Sequence, residues 1–301
     1  MILVKPIGGL GNQLFQIAYA IELARKTNRT IYIDKSTYET YKIRKYSIDN
    51  LKVSDIILDI KESEIKYSRI GIYWLPLFYR VFQKIIKTFI TKNNFEDSYC
   101  NLMSKFGLHF NFDNFYHSYK LRSKVIYVYG YFQSENYFSD SKLLIFEKFL
   151  SKNIDVIKGS SLGKKIINEN SLAISLRLGD DYLKSKDHFV CDENYFKKAL
   201  NKFDVHNVHL FVFSDENERA KEIILKMNLD LDKVTFVTGY SETDGLMLMS
   251  LCKNFILSNS SFSWWGAYLS KNNDKRVIAP STWYAYDSDR VAIYTDSMEL
   301  I

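Results

Sequence analysis

Apolar positions along this chain recur in two ways, as short unbroken runs and at a three-to-four-residue period, and the two alternate. Residues 2–4 (ILV) predict a buried strand. The segment GGLGNQ, Gly8 to Gln13, breaks it, and Leu14, Ile17, Ala18, Ile21 and Ala24 then repeat at helical spacing ahead of a strand-like Thr30 to Ile33. This is a βαβ opening. Residues 125–129 (VIYVY) predict a buried strand ending at Gly130, and Tyr137 to Leu150 predicts a helix. The second half is more regular: strand-like runs at 172–176, 208–213, 234–237, 254–258 and 276–279 alternate with helical patterns at 192–202, 216–227, 243–251 and 262–269. Such alternation predicts a mostly parallel sheet, whose ligand side is the carboxyl end of its strands. The loops after Leu176, Phe213 and Leu257 therefore share one functional rim.

Residues 35–120 are less regular and richer in Tyr, Lys and Asn, with one exception. In 77–90 (LFYRVFQKIIKTFI) an apolar face of Leu77, Phe78, Val81, Phe82, Ile85, Ile86, Phe89 and Ile90 opposes Arg80, Gln83, Lys84 and Lys87, which predicts an amphipathic helix. Three surfaces can cover that face: the chain's own domain, an oligomer partner, or an anionic membrane with Tyr73 and Trp74 at the interface. The polar, glycine-containing NIDVIKGSSLGKK stretch reads as a boundary. The expected organisation is two α/β domains, 1–155 with an irregular helical insertion and 156–301.

Composition narrows the class without naming a ligand. With 47% hydrophobic residues and 3 prolines in 301, the chain is globular rather than disordered or collagenous. A net charge of +6 is compatible with an anionic ligand, though solubility alone accounts for it. No segment reaches the roughly 18 uninterrupted apolar residues of a membrane span. The start MILVKPIGG lacks a basic leader and a long apolar core, which argues against export. Cys100, Cys191 and Cys252 are far apart and odd in number, as suits a reducing compartment. His109, His117, His188, His206 and His209 form no recognised metal site, and the His206 and His209 pair flanks a strand.

Four segments carry candidate chemistry. GGLGNQ lacks the Lys and Ser or Thr of a phosphate-binding Walker loop, so its glycines fit a structural turn as well as a ligand loop, with Asn12 and Gln13 offering uncharged hydrogen-bonding groups. In SLRLGDDY, Arg177 lies just beyond a strand and can grip phosphate oxygens through a charge-assisted fork, with Asp180 orienting it; a local salt bridge is the ordinary alternative. In LSNSSFSWWGAYL, Asn259, Ser260 and Ser261 precede a helix and can converge on an anion. Phe262 either stacks on a ring or fills the cleft, and Trp264 and Trp265 begin an apolar helical face that belongs in the core. Asp215, in FSDE, can accept from a ribose or base or cap the following helix.

The GGLGNQLFQIAYAIELA opening, GYFQSENYF at 130–138, the Arg177 motif, FSDE and SNSSFSWWGAYL together resemble, in order, the landmarks of the bacterial α-1,2-fucosyltransferase family, glycosyltransferase family 11. The resemblance implies a GT-B-like α/β fold with two Rossmann-like lobes facing a central cleft. It implies GDP-fucose as donor, inverting transfer to a sugar hydroxyl, and neither metal nor cofactor. On this sequence it implies that Arg177 binds the donor β-phosphate and that Asn12, beside Gly9 and Gly11, contacts phosphate or fucose. It further implies that Asn259, Ser260, Ser261 and Phe262 form a nucleotide loop, and that Asp180 and Asp215 lie at the donor, with Asp215 on guanosine.

Two positions depart from the family's HxRRGD pattern, Ser175 for its histidine and Leu178 for its second arginine, which removes a positive charge. Two rival readings follow, a related inverting transferase using another nucleotide sugar and a noncatalytic glycan- or nucleotide-binding protein. Spacing does not rank Asp34, Asp180, Asp181 and Asp187 as general bases. The resemblance also implies a sugar acceptor, a lipid-linked oligosaccharide being one form of it, with no nucleic-acid partner. The corresponding location is cytoplasmic, peripheral at the inner face of the bacterial inner membrane through 77–90.

Overall fold

The computed structural model describes residues 1–40, 44–60, 81, 95–113, 115–184, 189–227, 229–285 and 291–301. By packing, the chain divides into two units, Met1–Phe149 with Arg290–Ile293, and Leu150–Asp289 with Tyr294–Ile301.

In the first unit the predicted βαβ opening is β1 (Ile2–Val4), the helix Leu10–Thr27 and β2 (Ile31–Ile33). The three residues of β1 are almost wholly buried, the helix lays Leu14, Phe15, Ile17, Ala18 and Ile21 into the core, and it ends at Asn28 in the left-handed region (φ 52°), whose N–H reaches Ala24 O. β3 (Ile57–Asp59), β4 (Leu108–Asn111) and β5 (Ile126–Gly130) complete a parallel sheet of order β3-β2-β1-β5-β4. Two expectations change here. Tyr137 to Leu150 is not one helix: two short 3-10 turns precede a helix limited to Lys142–Lys148, because Ser134 Oγ accepts from Asn136 N and Ser141 Oγ is tied to buried Glu22. The amphipathic segment 77–90 lies outside the described residues apart from Val81, which is helical and exposed.

The second unit carries β6 (Ser171–Leu176), β7 (His209–Ser214), β8 (Val234–Phe236), β9 (Asn254–Ile256), β10 (Val277–Ala279) and β11 (Met298–Leu300), parallel throughout in the order β11-β10-β9-β6-β7-β8. Helices Glu193–Leu200, Asn217–Leu225, Glu242–Ser250 and Ser261–Tyr268 fall where the periodicity put them. Ile174, Phe196, Val212 and Ile224 meet in one buried cluster. Trp264 and Trp265 are fully buried, Trp264 stacking on Tyr268 at 4.6 Å between centroids. Gly266 is required there, since a Cβ would run into Met249 Sδ of the facing helix. The polar stretch near the division between the units is helical, Ile154–Gly159 followed by Ser161–Asn168, the second capped by Ser160 Oγ accepting from Gly163 N at 3.0 Å.

Candidate functional site

Strand order marks a candidate ligand side in the second unit. β6 enters first, the chain then runs outward through β7 and β8, and it returns to the other side of β6 with β9. The order reverses between β6 and β9, and ligands of open parallel sheets sit beyond the carboxyl ends of strands at such a point. The loops that leave there begin at Arg177 and Leu257.

Arg177 is held by carboxylates on two sides. Its Nη1 donates to Asp215 Oδ2, and its Nη2 donates to Asp181 Oδ2 at 2.6 Å. The two partners differ in how firmly they are placed. Asp215 comes from the end of β7, is 22% exposed, and also accepts from Leu178 N at 2.7 Å and Gly179 N at 3.1 Å. Asp181 is 46% exposed and follows Arg177 by one turn of chain. Gly179 makes room for both, because a Cβ there would stand 2.7 Å from an oxygen of each. Asp215 thus braces the arginine loop from the neighbouring strand, and it is not the cap of the next helix, whose N-cap position is held by Glu216.

Asp180 faces a second guanidinium that sequence reasoning passed over. Arg219, in the first turn of Asn217–Leu225, donates through Nη1 to Leu178 O at 2.9 Å and to Asp180 Oδ1 at 2.8 Å. Lys184 takes the other Asp180 oxygen at 2.9 Å. Hydrogen bonds from Lys184 and then Arg219 hold the Asp180 carboxyl below its usual range. Leu178 itself is buried in the apolar cluster, so the position that lacks the family's arginine receives one through its carbonyl from the adjoining helix. The only sequence signal was a basic residue in the first turn after FSDE.

The loop after β9 is fastened by Asn259, which is 4% exposed. Its Nδ2 donates to Phe189 O and to Trp283 O at 2.8 Å, and its Oδ1 accepts from Tyr182 Oη and from Cys191 Sγ. These partners use both N–H groups and both acceptor directions, so Asn259 frames the loop. Ser260, Ser261 and Phe262 remain partly exposed at the start of Ser261–Tyr268. Ser175 Oγ lies 3.4 Å from Ser258 Oγ, linking the ends of β6 and β9. Burial raises the Cys191 thiol to about 11, which leaves it an inert neutral group.

The first unit has its own reversal of strand order, between β1 and β5. The loop after β1 passes Gly8 at φ +78°, and the helix begins at Leu10, so Gly11, Asn12 and Gln13 lie in its first turn and Gly9 before it. Buried Gln13 donates to Gly8 O at 3.0 Å and Lys45 O at 2.8 Å while accepting from Ser47 N; buried Gln16 donates to and accepts from Ile7. Those two glutamines are therefore the loop's frame. Asn12 is partly exposed, and its Oδ1 accepts from Gln133 Nε2 at 2.7 Å, which ties the loop after β1 to the loop after β5.

Among the other carboxylates, Asp34 is 2% exposed, lies 3.7 Å from Lys5 Nζ and accepts from Ser36 N, so it is enclosed in the frame. Asp187 and His188 fall outside the described residues. His109 is interior, accepting from or donating to Tyr19 Oη at 2.7 Å, and burial lowers it to about 3. Among the described residues no three or more His, Cys, Asp or Glu side chains gather as a metal-holding group, and no helix is long and apolar enough to cross a membrane.

The chain is similar to known proteins. The chain is 28% identical over 293 residues to an alpha-1,2-colitosyltransferase of Escherichia coli, covering 94% of this chain and 92% of that protein. It is 29% identical over 296 residues to the O-antigen biosynthesis glycosyltransferase WbnK of Escherichia coli, covering 92% and 93%. Among solved structures, fucosyltransferase NodZ from Bradyrhizobium superposes with a TM-score of 0.50 at 14% identity, covering 88% of this chain and 91% of that one. That likeness shows the fold, α/β and GT-B-like with two Rossmann-like lobes. The family model described as Glycosyl transferase family 11 matches residues 1–298, and the chain therefore belongs to that family of glycosyltransferases.

Proposed function

We propose that this glycosyltransferase moves L-fucose from GDP-β-L-fucose to a hydroxyl of an oligosaccharide or polysaccharide precursor, forming an α-1,2 linkage with inversion. The observation that carries the reading is the braced Arg177, with one arm fixed on Asp215 and the other on the more exposed Asp181. On donor binding the outer arm exchanges Asp181 for a β-phosphate oxygen, while Asp215 keeps the guanidinium in place. Arg219, whose Nε and Nη2 have no acceptor among the described residues, adds a second cation at the same loop. Asn12 supplies an uncharged contact to donor phosphate or sugar, and Ser260, Ser261 and Phe262 line the nucleotide side, framed by Asn259.

In the reaction, an acceptor hydroxyl attacks the anomeric carbon from the face opposite the diphosphate. The new glycosidic bond forms as the bond to the diphosphate oxygen breaks, the electron pair leaves with GDP, and the hydroxyl proton passes to a base or to solvent. A β-linked donor gives an α-linked product. Charge grows on the departing diphosphate, and fixed cations stabilise it more in the transition state than in the ground state.

Colitosyl transfer is the second reading, favoured by the relationship to the colitosyltransferase over 94% of this chain. Incubating the protein with GDP-fucose and with nucleotide-linked colitose, each against a panel of sugar acceptors, separates the readings. Fucose incorporation with α-1,2 linkage supports the first, and colitose incorporation alone the second. Binding of GDP without turnover across the panel would overturn both. The acceptor fits a lipid-linked oligosaccharide at the cytoplasmic membrane face, with 77–90 as the basic foot. Sedimentation with anionic liposomes that is unchanged by Lys84→Glu with Lys87→Glu would remove that foot.

A further inference from the structure

Asn12 is held from two sides. Gly8 carries no Cβ, and one built there would stand 2.5 Å from Asn12 Nδ2, so the glycine leaves room for the amide nitrogen. From the other side Gln133 Nε2 donates to Asn12 Oδ1 at 2.7 Å. An asparagine side chain can present either a carbonyl oxygen or an NH2 group in a given direction, and the two ends differ little in shape. Engaging the oxygen decides which end is left. Among the described residues Asn12 Nδ2 donates to nothing.

We propose that Gln133 is a positioning residue that makes Asn12 a donor-only group, so that Asn12 recognises an oxygen lone pair of the sugar substrates and rejects a group that needs to donate. This rests on the reading that Asn12 touches substrate. Gln133 reaches the site from beyond β5, 121 positions along the chain, and so couples the two loops at the reversal of strand order. Phosphate and glycosidic oxygens satisfy such a donor fully, since they carry lone pairs and no proton. A sugar hydroxyl satisfies it by accepting.

The polarity can be tested with one atom changed. In Gln133→Glu, a carboxylate can only accept, so Asn12 turns its NH2 group inward and presents oxygen to the substrate. Once protonated, the same side chain donates to Asn12 Oδ1 as glutamine does. Free glutamate titrates at about 4.3, so its protonated fraction grows several-hundredfold from about pH 8 to about pH 5. Transfer by Gln133→Glu relative to wild type should therefore climb at least about tenfold from about pH 8 to about pH 5. Gln133→Met, which keeps the length and has no amide, should stay low relative to wild type at both. Asn12→Asp, which keeps an acceptor and removes both donors, should lose at least about tenfold at about pH 8. Thermal melting of each variant, matched to wild type, establishes that folding is intact. A KM increase confined to the nucleotide sugar assigns the recognised oxygen to the donor, and one confined to the acceptor assigns it there. Wild-type transfer by Gln133→Met, or low transfer by Gln133→Glu with no recovery at the lower pH, overturns the positioning role while leaving the Asn12 contact standing. Wild-type transfer by Asn12→Ala overturns the contact itself.

Discussion

The two sheets place their candidate groups at equivalent topological positions and build them from opposite chemistry. In the first unit the loop after β1 is held by neutral amides: Gln13 and Gln16 bind its backbone, and Gln133 fixes Asn12. In the second unit the loop after β6 is held by charge, with Arg177, Arg219 and Lys184 set against Asp180, Asp181 and Asp215. Amide contacts depend little on salt or on pH near neutrality, whereas exposed ion pairs weaken with salt and exchange partners readily. The first arrangement suits fixed geometry. The second suits a loop whose cations can exchange one anionic partner for another.

The strongest way to break the contrast is at its charged end. Arg177→Ala should reduce transfer by at least about tenfold, equivalent to about 1.4 kcal/mol or more of transition-state stabilisation, measured as kcat/KM for the nucleotide sugar. Wild-type turnover would remove Arg177 from the donor. Asp215→Asn keeps the shape of the brace but weakens its hold on the guanidinium, and kcat should fall by about tenfold or less, with GDP still bound in calorimetry. Arg219→Ala should raise the donor KM by a few-fold, about 3 to 10, and flatten the salt dependence of GDP binding. An unchanged salt slope would leave Arg219 as a loop fastener only.

The smallest effect sharpens the contrast by testing one of the buried charges of the first unit. His117 lies between Asp97 Oδ1 at 2.6 Å and Asp113 at 2.8 Å. Burial opposes its charge, but the hydrogen bonds it donates to Asp113 and Asp97 outweigh burial and raise its pKa. A raised folded value means the contribution is complete below the ordinary histidine value of about 6.5 and is lost as pH rises through the folded value. The destabilisation caused by His117→Gln should accordingly be larger at about pH 6 than at about pH 9 in thermal melts. A penalty independent of pH would show that the imidazole is neutral in the folded protein.

The regular parts of the fold were legible because each has a period. Leu14, Ile17, Ala18 and Ile21 announced their helix, and the second unit's helices came within a residue or two of their predicted ends. Burial of Trp264 and Trp265 followed from the same pattern. What escaped were features set by contacts distant in sequence. β4 and β11 are short, and the helix expected from Tyr137 is cut by Ser141 binding Glu22 from 119 positions away. The site divides similarly: the candidate loops were visible as glycine and polar breaks after strands. Their internal division of labour was not, because Asn12 and Asn259 look alike in sequence, while one has an idle NH2 among the described residues and the other has every group engaged.

The path of the chain has a practical consequence for recombining such enzymes. Residues Arg290–Ile293 belong to the first unit, where Val291 bridges to Phe115 and Ile293 is 1% exposed, although they lie close to the end of the sequence. A chimaera joined once, at 149/150, would pair the sheet of one parent with a late segment of the other. Exchange of a whole unit between relatives needs a graft of three junctions, and the short third piece must travel with the first half for that half to keep its own edge contact.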